Sequence, residues 1–204
     1  SRGQGRGQRL MAEKNAKTPA QESAFKTMIY PVIILVVICV VCSAALAALN
    51  DATKPIIQAN QEAATQEAYM GVLPGVTDPS ALTTVENIQT PGVQGAVTTA
   101  DGLVAVKASA AGYSGKEVVV YVSFDASGKI LATSVDASTQ TTGIGSKTMN
   151  ESFWSGFLGW DASQHMSAGN PVDTIAGATI SSNAVISAYN SAIDCYNNEI
   201  KGVA

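Results

Sequence analysis

The chain has 204 residues, with 12 basic and 16 acidic side chains, one histidine and three cysteines, for a formal charge of −4. That length suits one ordinary domain with an appendage and leaves little room for two full domains. One histidine and three scattered cysteines exclude a dense His/Cys metal site and a disulfide framework. The mild acidity excludes a general nucleic-acid binder, so no nucleic acid is expected among the partners.

Charge is divided along the chain. Residues 1–26 carry six bases (Arg2, Arg6, Arg9, Lys14, Lys17 and Lys26) against Glu13 and Glu22, and the remainder carries six bases against fourteen acids. Between them runs Met28 to Leu49, MIYPVIILVVICVVCSAALAAL, without a single charge. Its 22 residues would span about 33 Å as a helix, enough to cross a hydrocarbon core of about 30 Å. Pro31 falls in the first turn, where a missing N–H does least harm. Ala45-Leu46-Ala47 resembles a signal-peptide cleavage site, but the apolar region of a signal peptide extends to only about 15 residues. A retained membrane anchor is therefore expected. The basic flank precedes the helix and Asp51 follows it, which keeps the N-terminus cytoplasmic and places the chain after Asn50 outside the cytoplasm.

The expected organisation is a cytoplasmic basic tail over 1–27, a transmembrane helix over 28–49, a stalk over 50–74 and an extracytoplasmic domain over 75–204. The chain would thus be a single-pass protein of the cell (inner) membrane, with the lipid bilayer as a partner. Residues 1–10, ahead of Met11, read as a disordered extension, an expression remnant or an over-extended start. Cys39 and Cys42 in the membrane run, and Cys195 in the outer domain, are expected to serve as small hydrophobes.

After the anchor, Lys54 to Met70 reads as a polar helix with Pro55 in its first turn, a stalk or an entry helix into the domain, and Leu73-Pro74-Gly75 ends it. A Pro/Thr-rich stretch without clear periodicity follows to about Ala100. Strand patterns then occupy 103–110, 117–124 and 130–136, the last two joined by Asp125-Ala126-Ser127-Gly128-Lys129, a hairpin turn with glycine where φ > 0 is wanted. Gly112-Tyr113-Ser114-Gly115 punctuates the junction before them. Residues 139–146 form a Thr/Gly loop, and 147–158 a short helix bearing Phe153, Trp154, Phe157 and Leu158. The clearest helix comes last: Ile186, Tyr189, Ile193, Tyr196 and Ile200 draw one apolar stripe at spacings of 3 and 4. Grouped strands with helices around them predict an α+β fold.

The segment with chemical potential is Asp173-Thr174-Ile175-Ala176-Gly177-Ala178-Thr179-Ile180-Ser181-Ser182, directly before that helix. Gly177 and Ala178 leave the backbone uncovered, and a helix start offers unpaired N–H donors at its positive dipole end. Such a junction suits a phosphate, with the hydroxyls of Thr179, Ser181 and Ser182 close by. Hydroxyl and carboxylate side chains at a helix start are also ordinary caps. The segment is not a Walker loop, since it lacks the Gly-Lys-Ser/Thr ending.

These residues resemble the FMN-binding domain of RnfG, a component of the Rnf electron-transport complex. The same domain occurs in the homologous flavin-bearing component of the sodium-translocating NADH:quinone reductase. Three segments carry the resemblance in the family's order. Asp173 to Thr179 resembles its Asp-x-x-Ser/Ala-Gly-Ala-Thr motif, Gly112 to Gly115 its Gly-Tyr-x-Gly, and Gln140-Thr141-Thr142-Gly143-Ile144-Gly145 its Glu-Thr-Pro-Gly-Leu-Gly loop. The single N-terminal anchor matches as well. The resemblance implies an antiparallel-sheet FMN-binding domain with flanking helices after the transmembrane helix. It also implies FMN bound covalently through a phosphoester to Thr179, installed by a flavin transferase that uses FAD and magnesium. Gly177, Ala178, Ile180, Ser181, Ser182, Asp173, Tyr113 and residues 140–145 would surround the cofactor. Four positions depart from the pattern: Gln140 stands for Glu, Thr142 for Pro, Ala176 for the commoner Ser and Ser181 for the commoner Thr.

The implied function is that of an electron-carrying subunit of an ion-translocating ferredoxin:NAD oxidoreductase, working with the other membrane subunits of an Rnf-type complex. The homologous component of the quinone reductase is the alternative with the same local chemistry. A membrane-anchored binding module without cofactor is an alternative of another class. No side chain is expected to act as acid or base on an organic substrate. His165 is expected in a solvated loop, and Trp154, Phe157 and Trp160 chiefly in the core.

Overall fold

The computed structural model describes residues 28–201. The basic tail, the extension ahead of Met11 and the last three residues lie outside it. Contacts divide the chain into two units, 1–59 and 60–204.

In the first unit the described chain is helical. Helix α1, Tyr30–Val72, has 43 residues, is long and apolar enough to cross a membrane, and keeps its apolar window wholly exposed. The polar helix expected over Lys54 to Met70 is present, but as the continuation of the apolar run: α1 passes through Pro55 without a break. Proline at 55 removes the donor that would meet the Asp51 carbonyl. Asp51 is exposed, so water can serve that oxygen, and Thr53 Oγ1 donates to the carbonyl of Leu49 at 2.9 Å in the same stretch.

The second unit is built on a five-stranded antiparallel meander. Its strands are β1, Thr83–Thr84; β2, Val93–Thr98; β3, Val104–Ala111; β4, Glu117–Phe124; and β5, Ile130–Asp136, paired in sequence order. The β4–β5 turn is as expected, with Gly128 at φ +87° and the Asp125 carboxylate accepting from Ser127 N and Lys129 N. Those bonds, led by the one from the Ser127 hydroxyl, hold the Asp125 pKa below the ordinary carboxylate range.

Strands β1 and β2 lie inside the stretch expected to be irregular. Strand β2 is hidden from pattern reading by Gly92, Gly95 and a register shift between Val93 and Gly95, which break the alternation of side chains. Gly92 is at φ +82°, and a Cβ there would stand 2.8 Å from Ser191 Oγ of the last helix. Only glycine lets that helix lie so close.

Both faces of the sheet are covered. On one lies helix α3, Thr179–Cys195, whose Val185, Ile186, Tyr189, Ala192 and Ile193 pack against Val106, Val118, Val120, Val122 and Phe124. A short helix α2, Glu151–Trp154, adds Phe153 to the same core, and the tighter turn after it, Ser155–Phe157, adds Phe157. The expected helix over 147–158 is thus broken into three pieces. On the other face the last turns of α1 bring Tyr69 and Val72, followed by Leu73, onto Val97 and Ala105. Tyr69 meets Tyr121 edge-on with ring centroids 5.6 Å apart, and Lys107 Nζ lies 5.6 Å over the Tyr121 ring. These layers complete an α+β fold.

Cys195 is buried in the principal core, and desolvation pushes its thiol pKa up to about 12. A thiolate is the reactive form, so this cysteine is chemically quiet. Iodoacetamide at about pH 8 is expected to leave Cys195 unmodified in the folded protein and to label it after denaturation, as read by peptide mass mapping. Native labelling of Cys195 would contradict the burial.

Candidate functional site

The predicted phosphate segment ends at the first turn of α3. Gly177 turns the chain at φ +79°, and Ala178 N donates to the Ile175 carbonyl at 2.8 Å. Ala178 occupies the position before the first helical residue, so no side chain caps the helix. The N–H groups of Thr179, Ile180 and Ser181 therefore lack the partner that an ordinary capping residue supplies. An uncapped start leaves the positive end of the helix dipole open to a ligand.

The three hydroxyls predicted near this start have different fates. Ser181 is buried and its Oγ donates to Gln140 Oε1 at 2.9 Å. Ser182 is buried and its Oγ accepts from Ile175 N at 3.1 Å. Thr179 is exposed, at the first position of the helix. Of the three, only Thr179 presents its hydroxyl to solvent, while Ser182 pins the loop at Ile175.

An open cavity of about 450 Å³ lies against this start, lined by Tyr113, Thr141, Ile144, Gly145, Gly177, Ala178, Thr179, Ile180 and Ser181. The fold thus draws three segments distant in sequence to one place. Tyr113, Ile144 and Ile180 are 54%, 47% and 56% exposed, an apolar rim that water meets in the protein alone. No lining residue carries a charge, so the helix end is the main electrostatic feature of the cavity. Gly177 was expected to be small so that an anion could approach. A Cβ there meets nothing within 4 Å, so the protein demands glycine for its positive φ, and the open space is that of the cavity itself.

The other predicted site residues stand outside the lining. Gln140 is buried, 4% exposed, beneath the cavity instead of facing it. Its Oε1 accepts from Tyr113 N and Ser181 Oγ, and its Nε2 donates to the Lys116 carbonyl, all at 2.9 Å. Thr142 and Gly143 are exposed on the loop, where Gly143 N donates to Ser146 Oγ at 2.8 Å. Asp173 borders a separate groove with Lys147, Asn150 and Thr174. Sequence reading missed Gly112 and the Lys116 carbonyl as supports of the site. A glycine flanking a turn was the available signal for the first.

The aromatic residues and the histidine lie elsewhere. Phe157 is fully buried, 4.5 Å from the Tyr189 ring, while Trp154 Nε1 donates to the Met149 carbonyl and Trp160 Nε1 to that of Gln164. His165 is exposed, as expected, with Nε2 2.7 Å from Asp194 Oδ1. Asp194 is about four turns along α3 from Thr179, which removes the histidine from the cavity.

Comparison with known families bears on this geometry. Residues 112–194 match the family model of the FMN-binding domain, and residues 17–72 match that of the RnfG N-terminal region. The chain belongs to the RnfG-type FMN-binding-domain family. The first match begins at Gly112 and contains every residue that lines the cavity. The second ends at Val72, the last residue of α1. An FMN-binding subunit of the Rnf type, with one N-terminal apolar helix fitting a single-pass membrane protein, follows from the two together. A search of the curated proteins returns no match.

Proposed function

We propose that this chain carries FMN as a phosphoester on Thr179 and passes electrons between other subunits of an ion-translocating, ferredoxin:NAD-type Rnf complex. The observation that carries the reading is the pairing of an uncapped helix start with one exposed hydroxyl in its first turn, at the mouth of an apolar-rimmed cavity. A volume of about 450 Å³ falls within the usual range for cofactor sites. The residues fit the group.

FMN supplies redox chemistry that no side chain here offers. The chain's own residues bind and orient. The N–H groups of Thr179, Ile180 and Ser181 hold the single negative charge that a phosphodiester retains. Tyr113, Ile144 and Ile180 offer apolar surface to a flat ring and shield it from water. Thr179 would contribute the hydroxyl that becomes the ester oxygen: a flavin transferase using FAD and magnesium would break the FAD pyrophosphate, joining the FMN phosphate to Thr179 Oγ1 as the hydroxyl proton leaves and AMP is released. A tether of this kind keeps the cofactor at high effective concentration whatever its intrinsic affinity. That matters in a domain held outside the cytoplasm, as the basic segment ahead of the membrane run favours.

The match of residues 17–72 to the RnfG N-terminal region supports an Rnf-type complex over the quinone reductase as the setting. The test is direct. The full chain, co-expressed with a flavin transferase, is denatured, run on a gel and viewed for flavin emission, and its intact mass is measured. A fluorescent band with the mass increment of one FMN is expected, whereas a dark band of unmodified mass rejects the tether.

A further inference from the structure

We propose that Gln140 is the positioning residue of this site: its single amide group locks three separate segments into the arrangement that forms the cavity. The proposal rests on the FMN reading above for what the cavity holds, but its geometry belongs to the protein alone.

The amide is fixed by partners that leave it no freedom to flip. Tyr113 N is a donor and must face the oxygen, while the Lys116 carbonyl is an acceptor and must face the nitrogen, each at 2.9 Å. The oxygen's second bond comes from Ser181 Oγ at 2.9 Å, in the first turn of α3. One side chain thereby joins the Tyr113 turn, the entry to β4 and the helix start, while its own backbone opens the loop that carries Thr141, Ile144 and Gly145. The whole lining of the cavity comes from the Tyr113 turn, that loop and the helix start.

Two glycines make room for the clamp. A Cβ at Gly112 would stand 2.6 Å from Gln140 Oε1. One at Gly145 would stand 2.5 Å from Ser181 Oγ and 2.8 Å from Gln140 Cβ. None of these distances is tolerable, so Gly112 is glycine because the Gln140 amide fills the space, and Gly145 because Ser181 and Gln140 together do. This accounts for two glycines that line or flank the cavity without needing to touch a ligand.

Between these partners an amide serves both sides without titrating. A carboxylate at 140 would accept from Tyr113 N and Ser181 Oγ equally well, but its second oxygen would face the Lys116 carbonyl, acceptor against acceptor. Only a protonated carboxyl could donate there, and burial raises a carboxyl pKa. Among the described residues, the ionisable groups on the joined segments and the chain leading into them are Tyr113, Lys116, Glu117, Asp136, Lys147 and Asp173, all exposed, and the first turn of α3 has no acid. None of them offers a buried counter-charge to offset the burial of a carboxylate.

The experiment uses the full chain in detergent, with Gln140→Met and Gln140→Glu beside the wild type. It reads hydrogen exchange at the Tyr113 amide, the rate of flavin loading, and the visible circular dichroism of the attached flavin between about pH 5 and pH 8. Gln140→Met is expected to speed Tyr113 exchange and to slow loading by about tenfold or more, as the loss of several buried hydrogen bonds requires. Its flavin dichroism should be weak at every pH. Gln140→Glu should match Gln140→Met at about pH 8 and regain wild-type dichroism as the pH falls through the raised carboxyl pKa, while the wild type stays flat. That reversible recovery is a response that mere loss of stability does not give. Wild-type exchange in Gln140→Met, or flat wild-type dichroism in Gln140→Glu, overturns the clamp. The exchange arm needs no flavin, so a wild type without bound flavin would defeat the Thr179 reading while the clamp is judged on Tyr113 exchange alone. Should Gln140→Met fail to fold, the pH response of Gln140→Glu decides.

Discussion

Thr179→Ala is expected to abolish the covalently held flavin completely while leaving the domain folded. The side chain is exposed at the first position of α3 and no hydrogen bond fixes its hydroxyl, so its loss should change stability by no more than about 0.5 kcal/mol. Neighbouring hydroxyls offer no substitute on α3. Ser181 Oγ is committed to Gln140 and Ser182 Oγ to the Ile175 amide, both buried. The informative control is Thr141→Ala, because Thr141 is the other exposed threonine of the cavity lining. Lying on the loop, Thr141 lacks the helix end that stabilises a phosphate, and its variant should keep the full fluorescent band. Thr179→Ser should retain part of the signal, since a hydroxyl remains. In-gel flavin fluorescence with thermal melting checks all three. A band of wild-type intensity from Thr179→Ala would remove Thr179 as the attachment point.

The largest effect on stability is expected at Tyr189. Its side chain is fully buried on the sheet-facing side of α3, with the Phe157 ring 4.5 Å away. Its hydroxyl stands 2.6 Å from Thr133 Oγ1, which itself donates to the Tyr121 carbonyl, so tyrosine is the donor of that pair. Burial drives the phenol pKa upward, keeping the group neutral and able to donate. Tyr189→Ala removes an aromatic ring from a close-packed core, a change that costs about 3–5 kcal/mol. Tyr189→Phe keeps the ring and loses one buried hydrogen bond, for about 1 kcal/mol. Denaturant titration of the two variants should separate these costs. Equal destabilisation would mean that the hydroxyl, not the ring, holds α3 on the sheet. Because α3 begins at Thr179, loosening it here should also lower flavin loading.

The candidate site was legible in pieces. The Gly-Ala-Thr start of α3, the Gly-flanked Tyr113 turn and the loop from Gln140 to Gly145 each stand out as local composition, and the cavity is lined from all three. What each residue does there was not legible. Gln140 occupies a loop position that invites contact with a ring, and the fold buries it under the cavity as a bridge. Ser182 sits one residue from Ser181 at a helix start, and its hydroxyl turns back to Ile175. Rotamer and burial depend on neighbours supplied by other segments, and a spacing along one segment carries no record of them.

What the sequence determined by itself is the set of features governed by nearest neighbours along the chain: the uncharged membrane run, the Asp125–Lys129 turn with its glycine, and the apolar stripe of the last helix. Helical and strand periods repeat every few residues, so a short window contains the whole signal. Tertiary structure alone decided that Val93–Thr98 is a strand beside β3, and that Tyr113, Ile144 and Thr179 share one cavity. Each of those depends on free energy gained between residues far apart in sequence, where a ladder of hydrogen bonds or one buried amide outweighs the local preference.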